Sequence, residues 1–368
     1  MENLGLKMSD QYRKNPNPHF WNRKRVLITG HTGFKGSWLT TWLLQMKANV
    51  YGISLPPSSS KNLFDSLKIK NEINHIICDI RNKEQLNKHI NEIKPDIIFH
   101  LAAQPLVIKS YLEPIQTWET NVIGTLNILN SITSLNNECI GVFITTDKVY
   151  KNNEWAYGYR EIDPLGGHDP YSSSKASCEM AIASWRSSFL DPKQNNKFFI
   201  SSARAGNVIG GGDWSENRII PDVIRALEKN KKISVRNPFS TRPWQHVLEP
   251  LSGYLILAEK LSQDHKAFSS SFNFGPFVES NRSVKDLVNE CLKHWDGDFT
   301  IENNNDKPHE AGVLNLTIEK AIKELNWHPK WDFDTTIKKT ISWYKDVFNS
   351  KGNPIDCTLK DLNDYLID

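Results

Sequence analysis

The clearest candidates for chemistry in this chain are Tyr171 and Lys175, which lie four positions apart. This spacing puts both side chains on one face of a helix, and the preceding Asp169-Pro170 pair is typical of a helix start. A free tyrosine titrates near 10, so Tyr171 needs a pKa about 3 lower, worth about 4 kcal/mol, to act as a base at neutral pH. A neighbouring ammonium group favours the phenolate. The pair therefore indicates a tyrosine base, with a surface ion pair or a chance match as the alternative.

A second polar group, Thr146, Asp147 and Lys148, follows a predicted apolar strand over residues 140–145. Open α/β folds bind ligands at the carboxyl ends of their strands, so we expect these side chains at such an edge. A hydroxyl there can hydrogen-bond a substrate oxygen, and an acid beside a base is what the elimination of water needs. Adjacent carboxylate and ammonium groups are also expected to pair, which opposes both roles. Taken alone, such a segment is more often a solvated turn.

Three glycines, Gly30, Gly33 and Gly36, lie between a predicted strand at 26–29 and a predicted helix. They permit, in that order, a tight turn, the approach of backbone N–H groups to a pyrophosphate, and close packing of helix on strand. The flanking strand and helix favour a dinucleotide site over a bare glycine turn. The second strand lacks the usual ribose-binding acid at its end, so the sequence does not separate NAD from NADP. Asp79, after the third strand, is either an acceptor for a hydrogen bond from the adenine amino group or a helix-cap or turn residue.

Strands and helices alternate through the first half of the chain, which predicts an α/β fold with a Rossmann-type, doubly wound parallel sheet. Predicted strands cover 26–29, 49–55, 76–78, 97–100, 140–145 and 198–203, and predicted helices lie near 82–93, 115–135, 170–190, 219–229, 283–294, 317–325 and 335–348. The alternation fades after Gly206, which predicts a smaller carboxyl-terminal lobe for substrate. We therefore expect an extended arm at 1–22, a dinucleotide-binding domain at 23–205 with a returning segment at about 245–275, and the lobe at 206–244 and 276–368.

The composition of the 368-residue chain is that of an ordinary globular protein, with 39% hydrophobic and 24% charged residues. Its 45 basic and 42 acidic residues give a net charge of +3, which does not indicate binding to nucleic acid or to a membrane surface. Five scattered cysteines without a CxxC pair predict neither a disulfide framework nor a zinc site, so we expect no metal. Neither a signal peptide nor an apolar run of membrane-spanning length is visible, which predicts a soluble, cytoplasmic protein.

With these elements, the chain resembles the extended short-chain dehydrogenase/reductase superfamily and, within it, the nucleotide-sugar 4,6-dehydratases. The resemblance runs from about residue 20 to the end. Its most specific segments, in order, are 30–38, 100–107, 145–150, 159–171, 205–214 and 242–247. The wider family has Thr-Asp-Glu where this chain has Thr146-Asp147-Lys148, and lysine at the third position is similar to the CDP-glucose branch.

The resemblance implies NAD-dependent dehydration of CDP-glucose in deoxysugar biosynthesis. The sugar is oxidised at C4, loses water across C5 and C6, and receives hydride at C6, so that NAD is regenerated. Tyr171, held by Lys175 and assisted by Thr146, would take the proton of the 4-hydroxyl. Lys148 would remove the C5 proton, and Asp147 would donate to the departing 6-hydroxyl.

The resemblance also implies which residues bind each ligand. Arginine suits bidentate phosphate contacts, although each substrate residue could instead be an ordinary surface or turn residue. Asn121 is expected to support the site structurally. The implied cofactor residues are Gly30, Thr32, Gly33, Phe34, Gly36, Asp79, Ile80, Leu101, Ala102, Ala103, Tyr171 and Lys175, and the implied substrate residues are Gln104, Asn207, Arg218 and Arg242.

Relatives of this kind commonly form homodimers through a four-helix bundle, here of the helices near 115–135 and 170–190. Apolar residues spread around both helices would leave an exposed patch on a monomer, which is consistent with such pairing, whereas packing within one chain is the alternative.

Other functions also stay open. One alternative is a 4,6-dehydratase or a 4-epimerase that acts on another nucleotide sugar, although an epimerase would not need Asp147 and Lys148. The other is a non-catalytic protein that senses a dinucleotide.

Overall fold

The computed structural model describes residues 15–190, 197–302 and 313–368. Its central sheet consists of strands β1 (Arg25–Thr29), β2 (Asn49–Ser54), β3 (Asn74–Ile77), β4 (Ile97–His100), β5 (Cys139–Ile144), β6 (Phe198–Ala205) and β7 (Ser271–Phe274). These strands are parallel and lie in the order β7-β6-β5-β4-β1-β2-β3. The strand order reverses between β1 and β4, where doubly wound sheets open a ligand crevice. The predicted α/β sheet is therefore confirmed.

Helices cover both faces of the sheet. Val26 and Ile28 of β1 face one hydrophobic cluster, and Leu27 faces another, as expected for a strand buried on both sides. The α-helices are Pro18–Trp21, Phe34–Gln45, Leu63–Leu67, Lys83–Ile93, Val107–Leu112, Pro114–Trp118, Gly124–Thr133, Pro170–Phe189, Ile219–Leu227, Leu248–Gln263, His265–Phe268, Val284–His294, Phe333–Phe348 and Pro354–Ile367. In the part of the chain that the structure describes, no helix is long and apolar enough to cross a membrane.

Shorter elements connect these helices and build the smaller sheets after β6. Tight 3-10 turns cover Ile69–Glu72, Asp147–Val149 and Val278–Ser280, and π-helical turns cover Glu119–Ile123 and Ala321–Leu325. Three two-stranded sheets pair Val208–Ile209 with Gln245–His246, Thr241–Pro243 with Asn281–Ser283, and Ile233–Val235 with Phe299–Ile301. The predicted helix at 115–135 is thus two α-helices joined through a π-helical turn, with Asn121 in that turn.

The amino-terminal segment differs from the predicted extended arm. Pro18–Trp21 forms one helical turn, because proline is favourable at the first position of a helix and Asn17 caps it by accepting from His19 N at 3.1 Å. Trp21 is fully buried, and its Nε1 donates to Glu259 Oε1 at 2.6 Å. Trp21 therefore anchors this segment to the hydrophobic core, whereas residues 17–19 are exposed. Residues 1–14 of the predicted arm lie outside the described residues.

The carboxyl terminus also packs on the dinucleotide-binding side. Tyr365, on the last helix, stacks edge-on against Trp42 and Trp331 and donates to Glu249 Oε2 at 2.8 Å. One hydrophobic cluster thus includes residues of both predicted domains. The division at 205, 245 and 275 stays a prediction.

Candidate active site

Four separate stretches of the chain meet at the carboxyl edge of the sheet. β6, β5, β4 and β1 are neighbours, so the glycine loop after β1, residues 101–104 after β4, and residues 146–148 after β5 lie side by side. The chain after β6 passes over this edge, since a Cβ atom placed on Gly206 would lie 2.9 Å from Asp147 Oδ2. These stretches form one crevice at the place that the strand order predicts.

The glycine loop has the form of a diphosphate site. Helix Phe34–Gln45 begins after Gly33, and within the described ranges no side chain caps its first N–H groups. Free N–H groups and the positive end of the helix dipole suit a phosphate. Gly30 has a φ of +79°, and a Cβ atom on Gly36 would lie 2.2 Å from Gly30 O, so both positions need glycine. The residues present therefore fit the diphosphate of a dinucleotide.

Hydroxyl groups replace the missing acid at the end of β2. Thr32 Oγ1 lies 2.7 Å from Ser54 Oγ and donates to Leu55 O at 2.9 Å. Asp79 accepts from Arg81 N at 2.9 Å and pairs with Arg81 Nη2 at 2.7 Å, and these bonds hold the pKa of Asp79 below its usual range. Asp79 is therefore a turn residue in this structure, and its contact with adenine stays a prediction.

The chain after β4 lies against the glycine loop. Leu101 N donates to Thr29 O at 3.1 Å, and a Cβ atom on Gly30 would lie 2.8 Å from Ala102 N. Leu101, Ala102 and the following Ala103 therefore border the crevice. Ile80 differs, because its side chain is buried against the helix at Gly124. Its side chain belongs to the core.

Helix Pro170–Phe189 carries both members of the predicted catalytic pair. Asp169 caps this helix by accepting from Ser172 N at 3.0 Å, as the sequence predicts. Tyr171 and Lys175 are 8% and 5% exposed. Lys175 Nζ donates to Ile144 O at 3.1 Å, so its ammonium group is anchored to the end of β5. The pair is thus buried in the crevice, and a surface ion pair is excluded.

Burial controls the proton affinity of this pair. It raises the pKa of Tyr171 to about 12, although the Thr146 hydroxyl and the Arg218 charge act in the opposite direction. It also lowers the pKa of Lys175. Tyr171 is therefore a protonated phenol without ligands, and bound ligands must supply the positive charge that favours the phenolate.

The segment after β5 separates its acid from its amine. Thr146 caps the 3-10 turn Asp147–Val149 and donates to Asp147 Oδ1 at 2.9 Å. Asp147 is 3% exposed, and burial raises its pKa against the pull of the Lys148 and Arg242 charges. Among the described residues, no ion pair joins Asp147 to Lys148, contrary to expectation, because consecutive side chains of a tight turn point in different directions. An acid whose protonated form burial favours, beside a separate amine, is the arrangement that an elimination needs.

The sequence did not reveal the buried network that holds this segment to the Tyr171 helix. Glu179 accepts from Thr145 Oγ1 at 2.5 Å and from Arg204 Nη2 at 2.7 Å, and Ser202 Oγ donates to it at 2.8 Å. Its carboxylate is fully buried, and its pKa lies below the usual range because the Arg204 charge and these hydrogen bonds outweigh desolvation. Glu179 thus fixes the end of β5 relative to the helix one turn beyond Lys175.

Three of the predicted substrate residues lie where the chain after β6 covers the crevice. Arg218 pairs with Asp213 at 3.0 Å and acts electrostatically on Tyr171. Arg242 is buried and near enough to affect Asp147. Asn207 is half-buried and follows β6 directly. The structure brings these residues to one side of the crevice, and their contact with substrate stays a prediction.

The fourth predicted substrate residue, Gln104, directs most of its amide at the protein. Its Nε2 donates to Thr117 Oγ1 at 2.9 Å and to Leu106 O at 3.1 Å, and its Oε1 accepts from Leu106 N at 2.7 Å. Both Nε2 protons are therefore engaged, one lone pair of Oε1 is left for a ligand, and the contact of Gln104 with substrate stays a prediction. Asn121 accepts from Gln104 N at 2.8 Å and donates to Ser174 Oγ at 2.8 Å, which confirms its structural role.

A further charged side chain reaches the crevice from the glycine loop. Lys35 Nζ donates to Tyr254 Oη at 3.2 Å, and Tyr254 is fully buried. Burial and the Arg218 charge lower the pKa of Lys35 to about 7, while Asp147 opposes them. The only signal in the sequence is a lysine between Phe34 and Gly36, and it does not reveal that the ammonium group turns inward.

Comparisons with known proteins agree with this geometry. The chain is 44% identical over 352 residues to a CDP-glucose 4,6-dehydratase from Salmonella typhimurium, covering 95% of this chain and 98% of that protein. It is 27% identical to a human dTDP-D-glucose 4,6-dehydratase, covering 90% and 92%. Among solved structures, a Bacillus anthracis dTDP-glucose 4,6-dehydratase in complex with NAD superposes with a TM-score of 0.72 at 24% identity, covering 88% and 97%.

A UDP-glucose 4-epimerase from Stenotrophomonas maltophila superposes with a TM-score of 0.76 at 19% identity, covering 89% of this chain and all of that one, which shows the shared fold. A family model described as "GDP-mannose 4,6 dehydratase" matches residues 27–340, which is most of the chain. The chain therefore belongs to the GDP-mannose 4,6-dehydratase family.

Proposed function

We propose that this chain is a CDP-glucose 4,6-dehydratase that uses NAD and forms CDP-4-dehydro-6-deoxyglucose in deoxysugar biosynthesis. The observation that carries this proposal is the presence of Thr146, Asp147 and Lys148 beside Tyr171 in one buried crevice. A redox reaction alone needs the tyrosine, whereas the acid and the amine serve the loss of water. The 44% identity to the Salmonella enzyme supports the same substrate.

The glycine loop supports NAD as the cofactor. The uncapped helix start after Gly33 accommodates a diphosphate, and Thr32 and Ser54 place small hydroxyls where the adenosine ribose would lie. The similar Bacillus anthracis structure is a complex with NAD. When bound, NAD supplies the acceptor and later the donor of a hydride.

The residues of this chain can then handle each proton. Tyr171 takes the proton of the sugar 4-hydroxyl, with Lys175 stabilising the negative charge and Thr146 orienting the hydroxyl groups. The resulting 4-keto group makes the C5 hydrogen acidic, and Lys148 acts as the base that removes it. Asp147, whose protonated form burial favours, donates its proton to the departing 6-hydroxyl. Lys148 later returns a proton to C5.

The half reactions provide the test. In Lys148→Ala, elimination should fall by about 100-fold or more, whereas NAD reduction by CDP-glucose should persist, because Lys148 has no part in C4 oxidation. Reduced NAD is read by its near-ultraviolet absorbance, and the 4-keto-6-deoxy product by its absorbance in alkali. Lys151→Ala, an exposed lysine of the same segment, is the matched control.

Equal loss of both half reactions in Lys148→Ala would contradict the assignment. The wild-type protein should be incubated with CDP-, dTDP-, UDP- and GDP-glucose and NAD, with CDP-glucose expected to react fastest. In deuterated water the product should carry deuterium at C5. An epimerised sugar that keeps its 6-hydroxyl would instead indicate the 4-epimerase alternative, and no reaction with any sugar would indicate the sensor.

We further propose that the protein is a homodimer whose interface is a four-helix bundle. Ile115 and Trp118 are 71% and 38% exposed, and Met180 and Phe189, on the neighbouring Tyr171 helix, are 57% and 40% exposed. Ile182 of the Tyr171 helix is buried within the chain, as is Leu129 of the helix Gly124–Thr133 that follows the π-helical turn, so the opposite, exposed faces are available for a second copy. A monomer would leave this apolar face in water.

The oligomeric state tests this proposal. Trp118→Arg should convert a dimer into a monomer in analytical ultracentrifugation, since a charge would be buried at the symmetric contact. Arg substitution of the exposed Phe239, which lies on the lobe, should leave the mass unchanged. A wild-type protein that sediments as a monomer would contradict the proposal.

The cytoplasm is the proposed location. All five cysteines, Cys78, Cys139, Cys178, Cys291 and Cys357, are buried and unpaired, which suits a reducing compartment. Fractionation of the host cell with an antibody to this chain should find it with the cytoplasmic proteins.

A further inference from the structure

Lys35 is a lysine in the crevice whose ammonium group has no ion-pair partner among the described residues. It follows Phe34 at the start of the first helix after β1, and its Nζ reaches Tyr254 Oη at 3.2 Å. Burial raises the pKa of Tyr254 far above its usual range, so this partner is a neutral phenol. Among the described residues, no carboxylate lies within ion-pair distance of Lys35 Nζ. A tyrosine hydroxyl uses one of three ammonium protons and neutralises no charge.

The Arg218 guanidinium lies near enough to Lys35 for their charges to interact, and this interaction lowers the pKa of Lys35, as the Lys175 charge also does. Asp213 balances Arg218 at 3.0 Å, whereas Asp147, which also acts on Lys35, has a raised pKa because burial favours its neutral form. Three basic side chains thus interact in one crevice, and Asp213 is paired with one of them, Arg218. Such an arrangement costs free energy unless a ligand brings negative charge.

The Lys35 side chain extends to Tyr254 and not to the backbone N–H groups of its own loop. The loop N–H groups at the start of the helix already form one anion site. The Lys35 ammonium group instead donates to Tyr254, and it lies near enough to Asp147 and Arg218 for their charges to interact with it. A Cβ atom on Gly210 would lie 3.3 Å from Phe34 Cζ, so that chain covers the loop directly. Lys35 and Arg218 therefore come from two stretches of chain, the glycine loop and the chain after β6, that are in contact.

We propose that Lys35 is a diphosphate ligand, whose ammonium group binds one diphosphate together with the nearby Arg218 guanidinium. The proposal rests on the proposed function in one respect, because the reaction brings two diphosphates to this crevice, those of the nucleotide sugar and of NAD. Both are dianions with the same chemistry. Binding measurements distinguish the two possible ligands, the diphosphate of the nucleotide sugar and the diphosphate of NAD.

The test compares Lys35→Met with the wild-type protein by isothermal titration calorimetry. Methionine keeps most of the apolar stem and removes the ammonium group, together with its hydrogen bond to Tyr254. If the sugar diphosphate is the ligand, affinity for CDP should fall by about 10- to 100-fold, the usual loss of a charged hydrogen bond, while affinity for cytidine should not change. If the NAD diphosphate is the ligand, affinity for ADP-ribose should fall by a similar factor while affinity for adenosine does not. Lys83→Met, at an exposed helix position, is the matched control.

Unchanged affinity for both CDP and ADP-ribose would overturn the proposal, as would equal losses for CDP and cytidine. A second measurement uses the unmodified protein in case Lys35→Met does not fold. Pyrophosphate should protect Lys35 from acetic anhydride, as read by mass spectrometry relative to Lys83, and equal acetylation with and without pyrophosphate would overturn the proposal. None of these assays requires turnover. A protein that binds CDP through Lys35 but forms no 4-keto sugar would contradict only the proposed function.

Discussion

Glu179 should be a positioning residue whose loss weakens both the fold and the reaction. It is fully buried, pairs with Arg204 at 2.7 Å, and accepts a hydrogen bond from Thr145 next to the catalytic Thr146. In Glu179→Gln an amide of the same shape replaces the carboxylate, so the Arg204 guanidinium stays buried without a counter-charge. Breaking a buried pair in this way costs about 3–5 kcal/mol.

The expected thermal shift follows from the size of the chain. Unfolding carries about 2.1 cal/mol/K per residue, or about 0.8 kcal/mol/K for a chain of this length, so the midpoint should fall by about 4–6 °C. The pKa of Glu179 is lowered in the folded protein from 4.5. A lowered pKa contributes stability above the unfolded value that is lost as the pH falls through the folded value. The difference between wild type and Glu179→Gln should therefore be full at neutral pH and shrink in acid.

Calorimetry and kinetics together test this reasoning. Arg204→Met removes the other charge, and the double variant should be more stable than the sum of the two single losses predicts, because neither charge is left unpaired. For Glu179→Gln, kcat should fall more than KM rises, since Glu179 positions Thr145 and touches no substrate in our proposal. A loss below about 1 kcal/mol at neutral pH, or additive losses in the double variant, would refute the role of the buried pair.

Three further variants test other parts of the structure. Gly36→Ala should abolish NAD binding in a fluorescence titration, because its Cβ would lie 2.2 Å from Gly30 O; normal affinity would show that the loop tolerates a side chain. The phenolate absorbance of wild type minus Tyr171→Phe should develop only near pH 12 without ligands, and an onset near neutral pH would contradict the effect of burial. Trp21→Ala should lower the free energy of unfolding by about 3–5 kcal/mol in urea, whereas a surface arm would lose almost nothing.

The parts of the fold that local signals specify could be predicted from sequence. The apolar run ending at Gly30 gave β1, and Asp169-Pro170 gave the start of the Tyr171 helix, because strand patterns and caps depend on neighbours in the chain. Helix Leu248–Gln263 was not predicted as a helix. Most of its residues are buried, so it lacks the polar face that makes a helix visible as a period of 3.6.

The candidate site shows the same division between local and long-range information. Residue types and spacing pointed to Tyr171 and Lys175, but they could not show where Gln104 directs its amide or that Lys35 turns inward. Both outcomes depend on partners distant in sequence, namely Thr117 for Gln104 and Tyr254 for Lys35. Resemblance names the residues of a site, and packing decides which of their atoms face the ligand.

Burial favours the proposed role of one proton-transfer group, Asp147, and opposes the proposed role of the other, Tyr171. It raises the pKa of both Tyr171 and Asp147, which favours the protonated form of the acid, as its role requires, and the protonated form of the base, against its role. The site without ligands is therefore prepared for the loss of water but not for the oxidation that must precede it. Lys175, whose Nζ donates to Ile144 O, is the cation closest in sequence to Tyr171. Oxidation should consequently depend on pH and on bound positive charge more steeply than elimination does, because only the first step must remove a proton that burial retains.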